Sequence, residues 1–191
     1  VHESQYQAFA EALVAIAQRQ VVGDGLEEKV TFGPVQNLDQ LELVTELVDC
    51  ARAQGAHVLC GGARLDRPGF FYPPTIVTGV RDGQRLVDEE QFGPVLPLIA
   101  YREVEDVLRH ANASEMGLGG SVWGADQAQA QALASRLESG VAWVNCHAQI
   151  QPNTPFGGCK MSGFGVEFGL EGLLEYTAQQ LLFVRKPAVQ S

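Results

Sequence analysis

Apolar residues recur at intervals of three and four near the start of the chain, at Tyr6, Phe9, Leu13 and Ile16. That spacing predicts a helix over residues 4–19 with one apolar face. Ser4 is its expected N-cap, and Val21-Val22-Gly23-Asp24-Gly25 ends it. A second helix is predicted over 38–54, with Leu41, Val44, Val48 and Ala51 on one face and Gly55 as its stop. Val58-Leu59-Cys60 reads as a short strand closed by Gly61-Gly62. The stretch 70–77 is extended, but Pro73 and Pro74 mark it as an edge or irregular strand, because proline offers no N–H to a ladder.

The next stretch, residues 95–145, repeats a simple unit. Residues 95–101 read as a strand, 103–111 as a helix and 121–123 as a strand. Asp126 caps a helix reaching about residue 138, and 141–145 is another strand. Strand, helix, strand at this spacing predicts an α/β fold with a mainly parallel sheet and crossover helices. Val141-Ala142-Trp143-Val144 is nearly all apolar, as expected of a strand covered on both faces. Residues 149–165 form a long loop rich in Gly and Pro, the kind that often carries function. A helix over 167–176 and a last strand over 180–185, with Leu181, Leu182, Phe183 and Val184 consecutive, complete the pattern. No repeat, low-complexity tract or linker divides the chain, so one domain is expected.

Composition narrows the function classes. The chain has 191 residues, of which 46% are hydrophobic and 19% charged, so it can build a core without staples. Thirteen basic and 23 acidic residues give a net charge of −10. This balance disfavours nucleic acid and anionic membrane, whose binding rests on basic patches. No apolar run approaches the ~20 residues of a membrane helix. The four cysteines (Cys50, Cys60, Cys146, Cys159) are scattered, with no metal-ligand spacing. They point to a reducing compartment and a cytoplasmic protein. The chain opens at Val1-His2-Glu3, like the tail of a strand entering a helix, which hints at a piece of something longer.

Common chemical signatures are missing: no Gly-x-Gly-x-x-Gly, no phosphate-binding loop, no Gly-x-Ser-x-Gly and no His-Glu-x-x-His. Ligands of open α/β sheets bind at the carboxyl ends of strands, which directs attention to the segment after Asn145. Cys146-His147 could pair a thiolate with a base, but neighbours in an extended segment point to opposite faces. A buried thiol and a pocket-lining or surface imidazole is the plainer reading. Glu89-Glu90-Gln91-Phe92-Gly93-Pro94 is more unusual. A carboxylate can accept both hydrogen bonds of a ribose diol, and a ring can pack on a flat heterocycle. On composition alone, a charged loop with a core Phe is the favoured reading.

The run Glu89-Glu90-Gln91-Phe92-Gly93-Pro94-Val95 resembles the Glu-Glu-x-Phe-Gly-Pro signature of the NAD(P)-dependent aldehyde dehydrogenase superfamily. Other features follow the same family order along the chain. They include Gly33-Pro34, Gly55-Ala56-His57-Val58-Leu59-Cys60-Gly61-Gly62, Tyr72-Pro73-Pro74-Thr75, Gly140-Val141-Ala142-Trp143-Val144-Asn145 and the segment Pro155-Phe156-Gly157-Gly158-Cys159-Lys160-Met161-Ser162-Gly163-Phe164-Gly165. The resemblance implies a three-layer α/β fold with helices on both faces of the sheet. It implies a C-terminal piece of such an enzyme: an incomplete catalytic domain over 1–179 and an oligomerisation strand and tail over 180–191. The family's nucleophilic cysteine and general-base glutamate would precede Val1, so the chain alone is expected to be inactive.

Residue by residue, the resemblance implies NAD or NADP as cofactor. Glu90 would hold the nicotinamide ribose, Phe92 would pack by the nicotinamide, and Gln40 would stand nearby. Asn145, His147, Ala148, Ile150 and Phe156 would line an aldehyde tunnel, and Glu167 would relay protons. No metal is implied. The complete enzyme would form a thiohemiacetal, transfer hydride and hydrolyse a thioester, and would be a homodimer or homotetramer. Val166 stands where many members carry a basic residue, and Met116 where Tyr is common. A non-enzymatic oligomerisation or interaction module derived from the same family is the alternative reading.

Overall fold

The computed structural model describes residues 1–185, so residues 186–191 of the expected tail lie outside it. The chain divides into two compact units, Val1–Val107 and a second from Leu108 onward. The division falls inside helix α4 (Val104–Ala113). A boundary within a helix leaves no linker composition to find, which is why the sequence reads as one domain.

The first unit is organised by helices α1 (Glu3–Gln18) and α2 (Leu38–Ala53) and by strands β1 (His57–Cys60), β2 (Thr75–Thr78) and β3 (Val95–Pro97). The short helix α3 (Arg85–Asp88) precedes β3. The strand order is β1-β2-β3, with β1 antiparallel and β2 parallel to its neighbour β3. Helix α2 forms as predicted. Asn37 caps it through Oδ1, which accepts from Gln40 N at 2.8 Å, and Gly55 closes it at φ +91°. Its apolar face, Leu41, Val44, Leu47, Val48 and Ala51, is buried in one cluster with Tyr72, Val77 and Val95. All four residues of β2 are buried. With alternate side chains on opposite faces, that requires cover on both sides of the sheet. The prolines precede β2 rather than interrupt it, so β2 is the central strand and not the edge strand that Pro73 and Pro74 predict.

Helix α1 differs in detail. His2, not Ser4, is the N-cap, its ring nitrogen accepting from Ser4 N. The buried residue is Ala10, while Phe9 and Ile16 are about half exposed. The small Ala10 lets the helix approach the sheet closely, which rotates the contact face away from the two larger side chains. Val1 and His2 lie parallel to residues 99–101, with Tyr101 N donating to Val1 O at 3.0 Å and Glu3 N to Tyr101 O at 2.8 Å. The expected strand-to-helix opening is therefore present.

The second unit holds β4 (Met116–Gly117), β5 (Gly119–Val122), α5 (Gln127–Ala134), β6 (Val141–Val144), β7 (Phe156–Gly157), β8 (Cys159–Lys160), β9 (Val166–Glu167) and α6 (Gly169–Leu174). Strands β5 and β6 are parallel, as the repeat predicts, and Asp126 caps α5. Strand β6 is only partly buried. The expected loop 149–165 contains two short strands, and its ladders are antiparallel: β7 with β9 and β4 with β8. Two-residue strands carry no periodicity that a sequence could reveal. Glu167 belongs to β9, and α6 starts only after Phe168 turns through φ +61°. Residues 181–185 pair with none of the described strands, and Leu181–Val184 are exposed. A strand exists only through its partner, and none of the described strands supplies one for this segment. The architecture is α/β, with mixed rather than purely parallel sheets.

Candidate active site

The loop 89–94 follows α3 and is held by its alternate residues. Arg85 sits one helical turn before Glu89 and grips both of its carboxylate oxygens, Nε to Oε1 at 2.6 Å and Nη2 to Oε2 at 3.0 Å. Its remaining nitrogen, Nη1, donates to Glu46 Oε1 of α2 at 2.5 Å. The guanidinium holds the Glu89 carboxyl below the usual carboxylate range through these hydrogen bonds. Gln91 is fixed three ways. Its carbonyl accepts from Gln40 Nε2. Its Oε1 accepts from Gly93 N at 2.9 Å, and its Nε2 donates to Val95 O at 2.6 Å. Gly93 lies so close to α2 that a Cβ there would stand 2.3 Å from Val44 Cγ2, which requires glycine.

The residues between these anchors face outward. Glu90 is exposed and makes no hydrogen bond or ion pair among the described residues. Phe92 is 76% exposed at φ +40°, a left-handed conformation that costs a non-glycine residue about 1–3 kcal/mol. Of the two adjacent carboxylates, Glu89 is structural and Glu90 is available. Phe92, Gly93 and Pro94 form one wall of a cleft of about 470 Å³ whose other wall is Phe32–Gln36. The cleft is shallow and open to solvent rather than enclosed. Glu90 stands two residues before Phe92 and outside that lining; a carboxylate can accept from a diol, and a ring can pack on a flat heterocycle. Gln40 is brought to the same loop, but its amide supports Gln91.

In the second unit the predicted tunnel residues separate into two kinds. Asn145 ends β6 at φ +53°. Its Oδ1 accepts from Gly124 N at 2.8 Å and its Nδ2 donates to Gly124 O at 2.9 Å. The side chain thus ties the end of β6 to the turn after β5. His147, Ala148 and Ile150 are exposed beyond it. The His147 ring meets Trp143 edge-on, centroids 5.1 Å apart, and Trp143 Nε1 donates to Gln149 O at 3.0 Å. Gly119 makes room for that indole: a Cβ there would stand 2.5 Å from the ring. Phe156 and Glu167 are register partners across β7 and β9.

Cys159 is half-buried, with its Sγ 3.4 Å from Gly117 O and 3.3 Å from Glu138 O, within reach of one S–H donor shared between them. Among the described residues, no group of three or more His, Cys, Asp or Glu is placed to hold a metal ion, and no helix is long and apolar enough to cross a membrane. The sequence reading missed Arg85, Glu46, Gln91 and Trp143. The four-residue spacing of Arg85 and Glu89 was a legible signal; nothing in the sequence pairs Arg85 with Glu46.

An α/β chain with this pair of loops has close structural counterparts, and they are aldehyde dehydrogenases. The aldehyde dehydrogenase of Bacillus cereus, solved as an NAD+ complex, matches with a TM-score of 0.89 at 35% identity, over 93% of this chain and 36% of that one. Betaine aldehyde dehydrogenase of Staphylococcus aureus, in complex with NAD+, matches with a TM-score of 0.87 at 34% identity, over 92% of this chain and 36% of that one. Retinaldehyde dehydrogenase 3 of Homo sapiens is 36% identical over 185 residues, which is 97% of this chain and 36% of the human protein. The aldehyde dehydrogenase family pattern matches residues 1–182, and the chain belongs to that family. It spans little more than a third of the length of these relatives.

Proposed function

We propose that the chain is the C-terminal portion of an NAD(P)+-dependent aldehyde dehydrogenase, oxidising an aldehyde to its carboxylic acid through a cysteine thioester. The observation that carries this reading is the free Glu90 carboxylate beside the outward Phe92 ring, on a loop with the family's motif. Bound nicotinamide would supply the hydride acceptor. Glu90 would accept the two hydroxyls of its ribose, and Phe92 would limit the positions its ring can take. Gln40 would act through Gln91. His147, Ala148, Ile150 and Phe156 would line the aldehyde's path, where apolar walls exclude water. Asn145 would set the direction of that loop, and Glu167 would pass a proton from the general base to solvent.

The nucleophile and the general base would come from residues outside this chain, so the 191 residues alone would have no turnover. A cytoplasmic location and a homodimer or homotetramer assembled through residues 180–191 belong to the same reading. It is supported by the unpaired, exposed Leu181-Leu182-Phe183-Val184 run.

The test is aldehyde-dependent formation of NADH or NADPH. The complete protein is expected to turn over and the 191-residue chain is not; turnover by the short chain overturns the assignment of the nucleophile. In the complete protein Glu90→Gln is expected to weaken nucleotide binding about tenfold or more, the range set by hydrogen bonds to a charged group. Unchanged nucleotide affinity and turnover would refute the role of Glu90.

A further inference from the structure

Loop 89–94 has an alternation that its motif does not explain. Positions 89, 91 and 93 are anchored, Glu89 at the surface, and positions 90 and 92 are exposed without an anchor. Each anchor is of a different kind. Glu89 is held by a bidentate guanidinium that is itself tied to Glu46 of α2. Gln91 is braced by its own amide against Gly93 N and Val95 O and by Gln40 against its carbonyl. Gly93 is packed on Val44. Between them stands Phe92 at φ +40°. A residue in that conformation stays there only where its surroundings over-determine it.

We propose that Arg85 and Gln91 are positioning residues for the nucleotide site, holding Glu90 and Phe92 in a binding-ready arrangement before any ligand arrives. This rests on the reading of Glu90 given above. Arg85 acts first by selection. By taking Glu89 into an ion pair, it leaves Glu90 as the one carboxylate of the pair free to accept from a diol. Gln91 acts by closure. Its side chain spans the turn on both sides of Phe92, so the backbone cannot relax to a negative φ without losing two hydrogen bonds. Holding two contact groups in advance removes their ordering cost from binding. Removing either anchor should weaken nucleotide binding while the core, centred on Leu41, Val44 and Val48, stays intact.

The experiment uses the complete enzyme without aldehyde. The dissociation constants of NADH and NADPH are read from nucleotide fluorescence, and the thermal midpoint of the unliganded protein is measured alongside. Gln91→Met keeps the length and apolar stem of the side chain and removes both hydrogen bonds. Arg85→Met removes the ion pairs, and Arg85→Lys keeps the charge without the fork. Each Met variant is expected to bind nucleotide about tenfold more weakly, with a thermal midpoint close to that of the parent. Arg85→Lys is expected to recover part of the loss. Parent-like binding in both Met variants, with Glu90→Gln weakened, overturns the positioning role and leaves Glu90 standing. Parent-like binding in Glu90→Gln overturns the site and the proposal together. A lowered thermal midpoint with no recovery in Arg85→Lys assigns the anchors to general stability and overturns the proposal.

Discussion

The two units of the chain bury their apolar residues in opposite ways. In the first, Leu41, Val44, Leu47, Val48, Tyr72 and Val77 are almost wholly enclosed by one another. In the second, Phe164 is fully exposed and Leu173 is 62% exposed, and among the described residues the buried apolar side chains are Leu108, Ala130 and Ala134. The loops follow the same division. Loop 89–94 is held by side chains reaching from α2 and α3, whereas residues 145–150 are held by one asparagine and one indole. The difference teaches where sequence changes act. In the first unit packing sets the geometry of the loop, and in the second a few polar ties do.

The largest expected effects come from the core itself. Leu47→Ala should cost about 2–5 kcal/mol in urea unfolding, because a fully enclosed side chain leaves a cavity. Leu173→Ala, on an exposed face, should stay within about 0.5 kcal/mol. Equal losses at the two positions would break the comparison. Next comes Gly93→Ala, expected to cost about 1–3 kcal/mol from the clash with Val44. In a double-mutant cycle with Val44→Ala the two changes should be non-additive by about 0.5–3 kcal/mol; simple additivity would show that the loop does not rest on α2.

Asn145 sharpens the second half of the comparison. Asn145→Ala removes two hydrogen bonds to Gly124 and places alanine at φ +53°, with an expected loss of about 1–3 kcal/mol. Asn145→Gly should lose less, because glycine takes that φ freely. Among the buried positions the smallest effect is expected at Tyr72, whose hydroxyl is buried without a hydrogen-bond partner. Tyr72→Phe should leave stability at pH 7 unchanged within about 1 kcal/mol or raise it. Burial pushes the Tyr72 phenol up to about 12. Folding therefore opposes its ionisation, and the resulting stability is present in full below pH 10 and lost as the pH rises to about 12. Alkaline unfolding curves of parent and Tyr72→Phe should differ in slope only in that window.

Local chemistry was readable from the sequence. The three- and four-residue spacing of Leu41, Val44, Val48 and Ala51, closed by Gly55, defined α2 and its buried face, and Asp126 and the repeat around it defined β5, α5 and β6. Both depend on periods within a few residues of one another. The sequence also marked Glu90, Phe92 and Gln40 as candidates without deciding between the two adjacent carboxylates.

Tertiary structure made that decision, because Glu46 and Arg85 are 39 positions apart and meet only when α2 packs beside α3. It likewise decided that Ala10 rather than Phe9 faces the sheet, that β2 is central despite its prolines, and that Asn145 ties two strand ends together. Residues 181–185 lie at the other limit. Their sequence is that of a strand, but a strand needs a ladder partner, and nothing within the described chain provides one.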